Sequence, residues 1–324
     1  MMYKLSIAPM IDWSYTHFRV FMKILAPHAL CYTDMQTVQV IQHHPKRALD
    51  FHPSEFPHLA LQVGGSEPQA LAEVAKLAET LGFSEINLNL GCPSYRVQKG
   101  QFGACLMYEP LKVGACIAAM KGGVSIPVTA KIRIGVDEHE DYDFLYAFVE
   151  QLLEKGCDKL IVHARKAWLK GLSPKQNRTI PPLHYDKVYR IKSDFSTTPV
   201  IINGNIQRID VSQHLQQVDG VMLGRMACDD PYQIAHIHHD LYPDQAKPTR
   251  VAVFQAYLLY LQSLPVSSYR TALIVKPLLN LAHGLAQNKH WKKQLLILDT
   301  WNNWKYWDSL VVLLQQLESL SESS

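Results

Sequence analysis

Polar and charged side chains recur in this sequence where short β-rich runs end, places at which an ordinary strand stays apolar. These ends carry Ala8, Pro9 and Met10, then Asp34, Gln62, Asn89 to Cys92, Lys131 with Arg133, His163 with Arg165, Asn203 with Gly204 and Asn205, and Gly224 with Arg225. Amide, imidazole and cationic groups in that order suit a flat heterocycle. The glycine-containing ends at 203–205 and 224–225 suit a phosphate held on backbone N–H groups, with Arg225 adding charge-assisted bonds. A Gly-Arg pair alone is a weak signal, and after an Asn-Gly strand end it is a much better one. Cys92 lies between Gly91 and Pro93. A thiol with a reference pKa of about 8.5 is mostly protonated at neutral pH and still able to give its proton up. The bland alternative, a small buried hydrophobe, is the common fate of a free cysteine, and the strand-end setting argues against it. Asn89, two residues before Gly91, shares its strand face by alternation.

A second pattern concerns charge. Residues 159–185 contain no acid and six bases, Lys159, Arg165, Lys166, Lys170, Lys175 and Arg178. Such a run beside a strand end suits tracking of a phosphate backbone, with Trp168 placed to stack on a base; a merely solvated loop is the competing account. Residues 245–324 carry eight bases against four acids, while the whole chain has a net charge of +3. A basic end on a neutral body suits a polyanionic partner or, equally on this count, a solubilising face. His43-His44 and the HIHH run at 236–239 have no acid or cysteine at ligand spacing, so no metal site is expected.

The elements that must position these residues are eight short runs, at 5–10, 29–35, 58–63, 85–91, 127–135, 159–165, 199–204 and 220–225. Most are apolar without strict alternation, as parallel strands covered on both faces are. Between the third and fourth the spacing predicts an amphipathic helix, with a Ser66–Gln69 capping box, an apolar face of Leu71, Val74, Ala75, Leu77, Ala78 and Leu81, and a stop at Gly82. Eight strands with intervening helices in about 230 residues make an α/β chain with a (β/α)8 TIM barrel. A doubly wound sheet lacks its G-x-G-x-x-G after the first strand. Beyond a linker at 243–248 the strands stop and helical patterns follow. The expected domains are therefore a barrel at 1–243 and a small C-terminal helical domain at 249–320, with a frayed polar end. Trp301, Trp304 and Trp307, at i, i+3 and i+6, are expected to pack its core, while Lys292 and Lys293 beside Trp291 could face a polyanion.

Composition narrows the class. With 324 residues, 48% hydrophobic and 19% charged, the chain has ample length for a core and is neither disordered nor fibrous. No apolar run is long enough to span a bilayer, and the start does not have the form of a signal peptide. Six irregularly spaced cysteines give neither a disulfide framework nor a zinc pattern and suggest a reducing compartment. A soluble, cytoplasmic, monomeric protein is expected.

The segment NLNLGCPS at 87–94, followed by GACL at 103–106, resembles the signature of tRNA-dihydrouridine synthases. APM at 8–10, LQVGG at 61–65, KIRIG at 131–135, HAR at 163–165, NG at 203–204 and GR at 224–225 follow in the family's order. The stretch from His163 to Arg178 is similar to the bacterial A-type branch. The resemblance implies FMN in the barrel, NADPH as reductant, and a uridine of the tRNA D-loop, near position 20 or 20a at the tRNA elbow, as the group reduced. It implies a hydride to C6 from flavin N5 and a proton to C5 from Cys92. On the same grounds the Ala8, Pro9 and Met10 backbone and Gln62 would hold the isoalloxazine ring. Lys131 would stabilise its reduced, anionic form, and His163 would contact the ring or its phosphate. Asn203, Gly204, Asn205, Gly224 and Arg225 would hold the phosphate, Asn89 the target uracil, and Arg165, Lys175, Arg178, Lys292 and Lys293 the RNA. Cys105 is left as structural. An FMN-dependent barrel dehydrogenase of a free pyrimidine-like molecule is the alternative, and it leaves the basic loop without purpose. A flavin-free RNA-binding module is opposed by Cys92, Lys131 and His163 occurring together.

Overall fold

The structure, a computed structural model, describes residues 3–265 and 269–322. By contacts the chain divides into two compact units. One comprises the chain up to Ser14 together with Leu30–Leu223, the other Tyr15–Ala29 together with the chain from Gly224 onward.

The first unit contains nine parallel strands: β1 (Leu5–Ile7), β2 (Leu30–Tyr32), β3 (Gln36–Thr37), β4 (Leu59–Gly64), β5 (Glu85–Asn89), β6 (Val128–Arg133), β7 (Lys159–His163), β8 (Val200–Asn203) and β9 (Gly220–Leu223). Their order is β2-β1-β9-β8-β7-β6-β5-β4-β3, and β2 also pairs with β4 through Cys31↔Leu59 and Tyr32↔Ala60. That pairing closes eight strands into a (β/α)8 barrel and leaves β3 outside the ring, bonded to β4 alone. All eight strands read from the sequence are present, and two-residue β3 is additional. The interior is identified by one cluster of Ala8, Leu30, Tyr32, Ala60, Ile161, Ile201 and Met222. Side chains drawn from β2, β4, β7, β8 and β9 meet only inside the ring. By the two-residue period, Gln62, His163 and Asn203 face the same way.

Helices Pro68–Thr80, Pro110–Lys121 and Tyr142–Glu154 follow β4, β5 and β6 and pack side by side. The first starts differently from expectation. Glu67 is its N-cap with no side-chain cap, and Pro68 holds the first turn, so no Ser66–Gln69 capping box forms. Proline serves there because it has a helical φ and lacks the N–H a cap would have to satisfy. The stop is as expected. Gly82 has φ +88, and the Gly82 and Phe83 amides donate to the carbonyls of Glu79 and Ala78, each at 3.0 Å, the double closure of a Schellman turn.

The second unit is helical, with Thr16–Leu25, Arg225–Asp229, Tyr232–Leu241, Arg250–Gln262, Thr271–Val275, Asn288–Leu296 and Trp304–Glu322 as its α-helices. Its core holds Phe254 against Trp291 and Trp307, with ring centroids 5.3 and 5.8 Å apart. Trp301 is buried but precedes the helix that carries Trp304 and Trp307, and its carbonyl accepts the Trp307 indole N–H at 2.6 Å. The carboxylate of Glu318 accepts the Arg250 and Val251 amides at 2.8 and 3.3 Å. The last helix runs to Glu322, through the polar end expected to fray; residues 323 and 324 lie outside the described residues.

A Cβ at Gly82 would come no closer than 3.8 Å to the Phe56 ring. The cost of Gly82→Ala is therefore conformational, about 1 kcal/mol. Urea unfolding should show a lower midpoint with an unchanged slope, and Gly82→Asn should lose less.

Candidate active site

Buried side chains of β4, β5 and β6 form a continuous polar column inside the barrel. At its lower end the Glu85 carboxylate accepts the Tyr32 hydroxyl at 2.6 Å, the Thr129 hydroxyl at 2.5 Å, and the Lys159 ammonium. Above it Asn87 Nδ2 donates to Thr129 Oγ1, Gln62 Nε2 to Asn87 Oδ1, and Asn89 Nδ2 to Gln62 Oε1, each at 2.8 Å. Asn89 Oδ1 then accepts the backbone N–H groups of Gly91 at 3.2 Å and Cys92 at 3.0 Å. Gln62 thus keeps one Nε2 proton and one Oε1 lone pair for a ligand.

The Cys92 segment is held from both sides. Its carbonyl accepts the Ala104 amide at 3.0 Å. Gly103, at φ +79, lies so close that a Cβ would stand 2.6 Å from that carbonyl oxygen. Cys92 itself is half-buried. Cys105 donates its thiol to the Phe102 carbonyl at 3.2 Å, and burial raises its pKa, consistent with a structural thiol.

Beside this segment β6 presents two cations. Register sets Asn89 against Lys131 and Arg133 against His163, and His163 in turn against Asn203. Lys131 Nζ donates to Asn203 Oδ1 at 3.1 Å, and Asn203 Nδ2 donates to the Met222 carbonyl at 2.8 Å. Burial, with a smaller contribution from Arg133, pushes Lys131 down to about 7. Arg133, named at its strand end in the sequence but given no role there, is a clamp. Its guanidinium donates to the carbonyls of Gly91, Lys166 and Asn177 at 2.8, 2.9 and 3.0 Å, and burial lowers it to about 10. Three carbonyls satisfy Arg133, whereas the bonded partner of Lys131 is one neutral amide oxygen.

The Ala8–Met10 segment is bonded to its neighbours in the first unit. The Ala8 amide donates to Leu223 O at 2.8 Å, the Met10 amide to Ser14 Oγ at 2.9 Å, and Pro9 has no N–H. The backbone donors are therefore engaged within the protein, and a ring would meet apolar surface here, including Met10, which packs on the interior cluster. After β8 the chain takes positive φ twice, at Gly204 (+131) and Asn205 (+52). A Cβ at Gly204 would lie 3.0 Å from Leu183 Cδ2 and 3.1 Å from His163 Cδ2, so glycine leaves room at this turn. Gly224 and the exposed Arg225 follow β9 in the chain and belong by contacts to the second unit. So do Lys292 and the exposed Lys293, on helix Asn288–Leu296.

The acid-free run separates into two kinds of base. Lys159 pairs with Glu85 inside the barrel. Arg165 is buried and donates to the Pro181 carbonyl. Lys166 is buried, 3.1 Å from Glu140 and 4.4 Å from the Trp168 ring centre. Lys170, Lys175 and Arg178 are exposed. The organising residue is Asn177, fully buried, whose side chain accepts the Trp168 amide at 2.7 Å and donates to the Trp168 carbonyl at 2.9 Å. Its importance was hidden because a single Asn in a polar loop carries no spacing signal. Gln98 Nε2 ties this loop to the cysteine segment, donating to the Pro93 and Leu169 carbonyls, both at 2.8 Å. Among the described residues no group of three or more His, Cys, Asp or Glu is arranged to hold a metal, and no helix is long and apolar enough to cross a membrane.

These residues fit a flavin mononucleotide. A half-buried ammonium without a carboxylate partner among the described residues suits an electron-rich ring edge, and the positive-φ turn at 204–205 suits a phosphate.

The sequence pattern of the dihydrouridine synthase family (Dus) matches residues 6–301. The chain is 47% identical over 292 residues to the tRNA-dihydrouridine(20/20a) synthase of Shewanella oneidensis, a match covering 90% of this chain and 87% of that one. It is 47% identical over 294 residues to the protein of that name from Synechocystis, covering 90% and 88%. Against the one from Vibrio vulnificus it is 45% identical over 296 residues, covering 90% of each. The matched stretch takes in every barrel strand beyond Leu5, the Cys92 segment and most of the second unit's helices, and the chain belongs to the dihydrouridine synthase family of flavin-dependent enzymes.

Proposed function

We propose that this protein is a tRNA-dihydrouridine synthase that reduces a D-loop uridine at position 20 or 20a to 5,6-dihydrouridine, with FMN recharged by NADPH. The observation that carries the reading is the Cys92 segment, a half-buried thiol fixed through both of its peptide groups at the mouth of the barrel. Bound FMN supplies the hydride for C6 of the uracil. Cys92 delivers the proton to C5, and Asn89 directs its remaining Nδ2 proton at the uracil. Lys131 favours negative charge on the ring edge beside it, and Gln62 and Met10 orient the ring. His163, Asn203, Gly204, Asn205, Gly224 and Arg225 hold the ring and its phosphate. The uridine must leave the stack to reach near-contact distance. Lys175 and Arg178, with Lys292 and Lys293 of the helical part, hold the RNA backbone, and Arg165 supports the loop that carries them. In this reading residues 1–243 act as catalytic domain and 249–320 as tRNA-binding domain, in a cytoplasmic monomer. A dehydrogenase of a free pyrimidine would give the exposed Lys170, Lys175 and Arg178 nothing to do.

Purified protein should show flavin bands that bleach with NADPH anaerobically and return on adding unmodified tRNA. Recovery with a free pyrimidine instead would favour the dehydrogenase. Cys92→Ala should keep the bands and bleach normally, yet lose about 10²- to 10⁴-fold in uridine reduction; survival of activity would remove Cys92 from the role of acid.

Lys131 sets a pH dependence. With its value held near 7, it is largely neutral at pH 8 in the empty barrel. An acceptor or anion placed against it stabilises the ammonium and raises that value, so FMN binding takes up a proton and affinity falls as pH rises above about 7. Calorimetry in two buffers of different ionisation enthalpy should detect this uptake, and Lys131→Met should abolish it.

Replacing Lys175 and Arg178 together by Ala should weaken tRNA binding and reduce the slope of log affinity against log salt by about 1 to 2 units. An unchanged slope would place the phosphate contacts elsewhere.

A further inference from the structure

The hydrogen bonds of the polar column run in one direction only. Glu85, in contact with the Lys159 ammonium, is a carboxylate and can only accept. Thr129 gives its single hydroxyl proton to Glu85 at 2.5 Å, so towards Asn87 it can only accept, and Asn87 Nδ2 donates to it at 2.8 Å. Asn87 must then show its oxygen to Gln62, Gln62 its oxygen to Asn89, and Asn89 its oxygen to the amides of Gly91 and Cys92. Turning any one of these amides over would set donor against donor and acceptor against acceptor. Every member is at least nine-tenths buried: Glu85 is 3% exposed, Asn87 0%, Thr129 0%, Gln62 1% and Asn89 8%. The chain of bonds runs from the first to the last residue of β5, about 13 Å. An apolar cluster of Ala8, Leu30, Tyr32, Ala60, Ile161, Ile201 and Met222 lies in the same interior, and the unbroken relay of amides runs along the strands that lead to Cys92.

We propose that Glu85, acting through Thr129, Asn87 and Gln62, is a positioning residue whose charge sets the orientation of the Asn89 amide and thereby holds the Cys92 backbone where its thiol can deliver a proton. The proposal rests on the role of Cys92 given above. Lys159 and Tyr32 hold the carboxylate in place.

Thr129→Val removes the hydroxyl at nearly constant shape and cuts the relay in its middle, whereas Thr129→Ser keeps it. Thr129→Val should lower uridine reduction at saturating tRNA by about 10- to 100-fold with KM for tRNA unchanged, a penalty typical of small misplacement. Thr129→Ser should restore most of the rate. Alkylation of Cys92 by iodoacetamide, read peptide by peptide in a mass spectrometer, should be several-fold faster in Thr129→Val. Adding Thr129→Val to Asn89→Ala should change neither rate further, because the relay acts only through Asn89. Glu85→Gln, which adds a donor where an acceptor is required, must show the same two effects and serves if Thr129→Val does not fold. Unchanged turnover and alkylation in the folded variants, or effects that multiply with Asn89→Ala, would overturn the relay. If the unaltered protein leaves tRNA uridine untouched, the functional reading falls, while the alkylation rates still decide the relay.

Discussion

Inside a closed parallel barrel there is no water to satisfy a polar atom, so each one placed there must find a partner on another strand. In this protein that constraint governs three neighbouring strands. Register sets Ala60 against Glu85, Gln62 against Asn87, Asn87 against Thr129 and Asn89 against Lys131, and the side chains at alternate positions complete one another's hydrogen bonds. A slip of one residue in β5 would turn Ile86 and Leu88 inward and drive Glu85, Asn87 and Asn89 into the helix layer. Polarity and hydrophobicity therefore specify the same register, and the strands that carry the chemistry are also the ones whose alignment admits fewest alternatives.

The same accounting separates the two cations of β6. An arginine buried without a carboxylate is tolerable when acceptors meet its N–H groups, and Arg133 meets three carbonyls from two segments, one beside Cys92 and two in the basic loop. Its charge is committed to holding those segments together. Lys131, two residues earlier on the same face, has three protons and a single neutral partner, Asn203. Burial, with Arg133 adding to it, brings it to about 7. A group so poised responds to whatever is set beside it, which is what ligand chemistry requires and a structural contact does not.

Much of this was legible in the sequence. The eight strand runs are there as apolar segments, and the residues at their ends stand out because polar groups are out of place on a covered strand. The lower half of the column was not legible. Glu85 and Lys159 open their strands and Thr129 is the second residue of its own, where a charged or hydroxyl residue looks like an ordinary boundary, and the bonds joining them span segments 44 and 74 residues apart. Local pattern also misread the start of helix Pro68–Thr80, where proline replaced the side-chain cap. The charge count of residues 159–185 overstated the exposed bases for a related reason. Three of the six side chains are drawn inward by partners, and linear composition cannot separate those from the three that face solvent.

Burial falls steadily along the path from the column to the outer loop, and the demands on the residues change with it. Glu85 to Asn89 are enclosed and their geometry is over-determined. Cys92 is half-exposed but has its peptide groups fixed by Asn89 and Ala104. Lys175 and Arg178 stand in solvent on a loop that Asn177 anchors from beneath. Proton delivery fails with misplacements of an ångström, whereas attraction to a phosphate backbone falls off over a Debye length of about 8 Å at physiological salt. A rigid interior and an adaptable rim are thus what the two tasks separately require. Gln98 and Arg133, bonded to both the cysteine segment and the basic loop, are where the rim is tied to the interior.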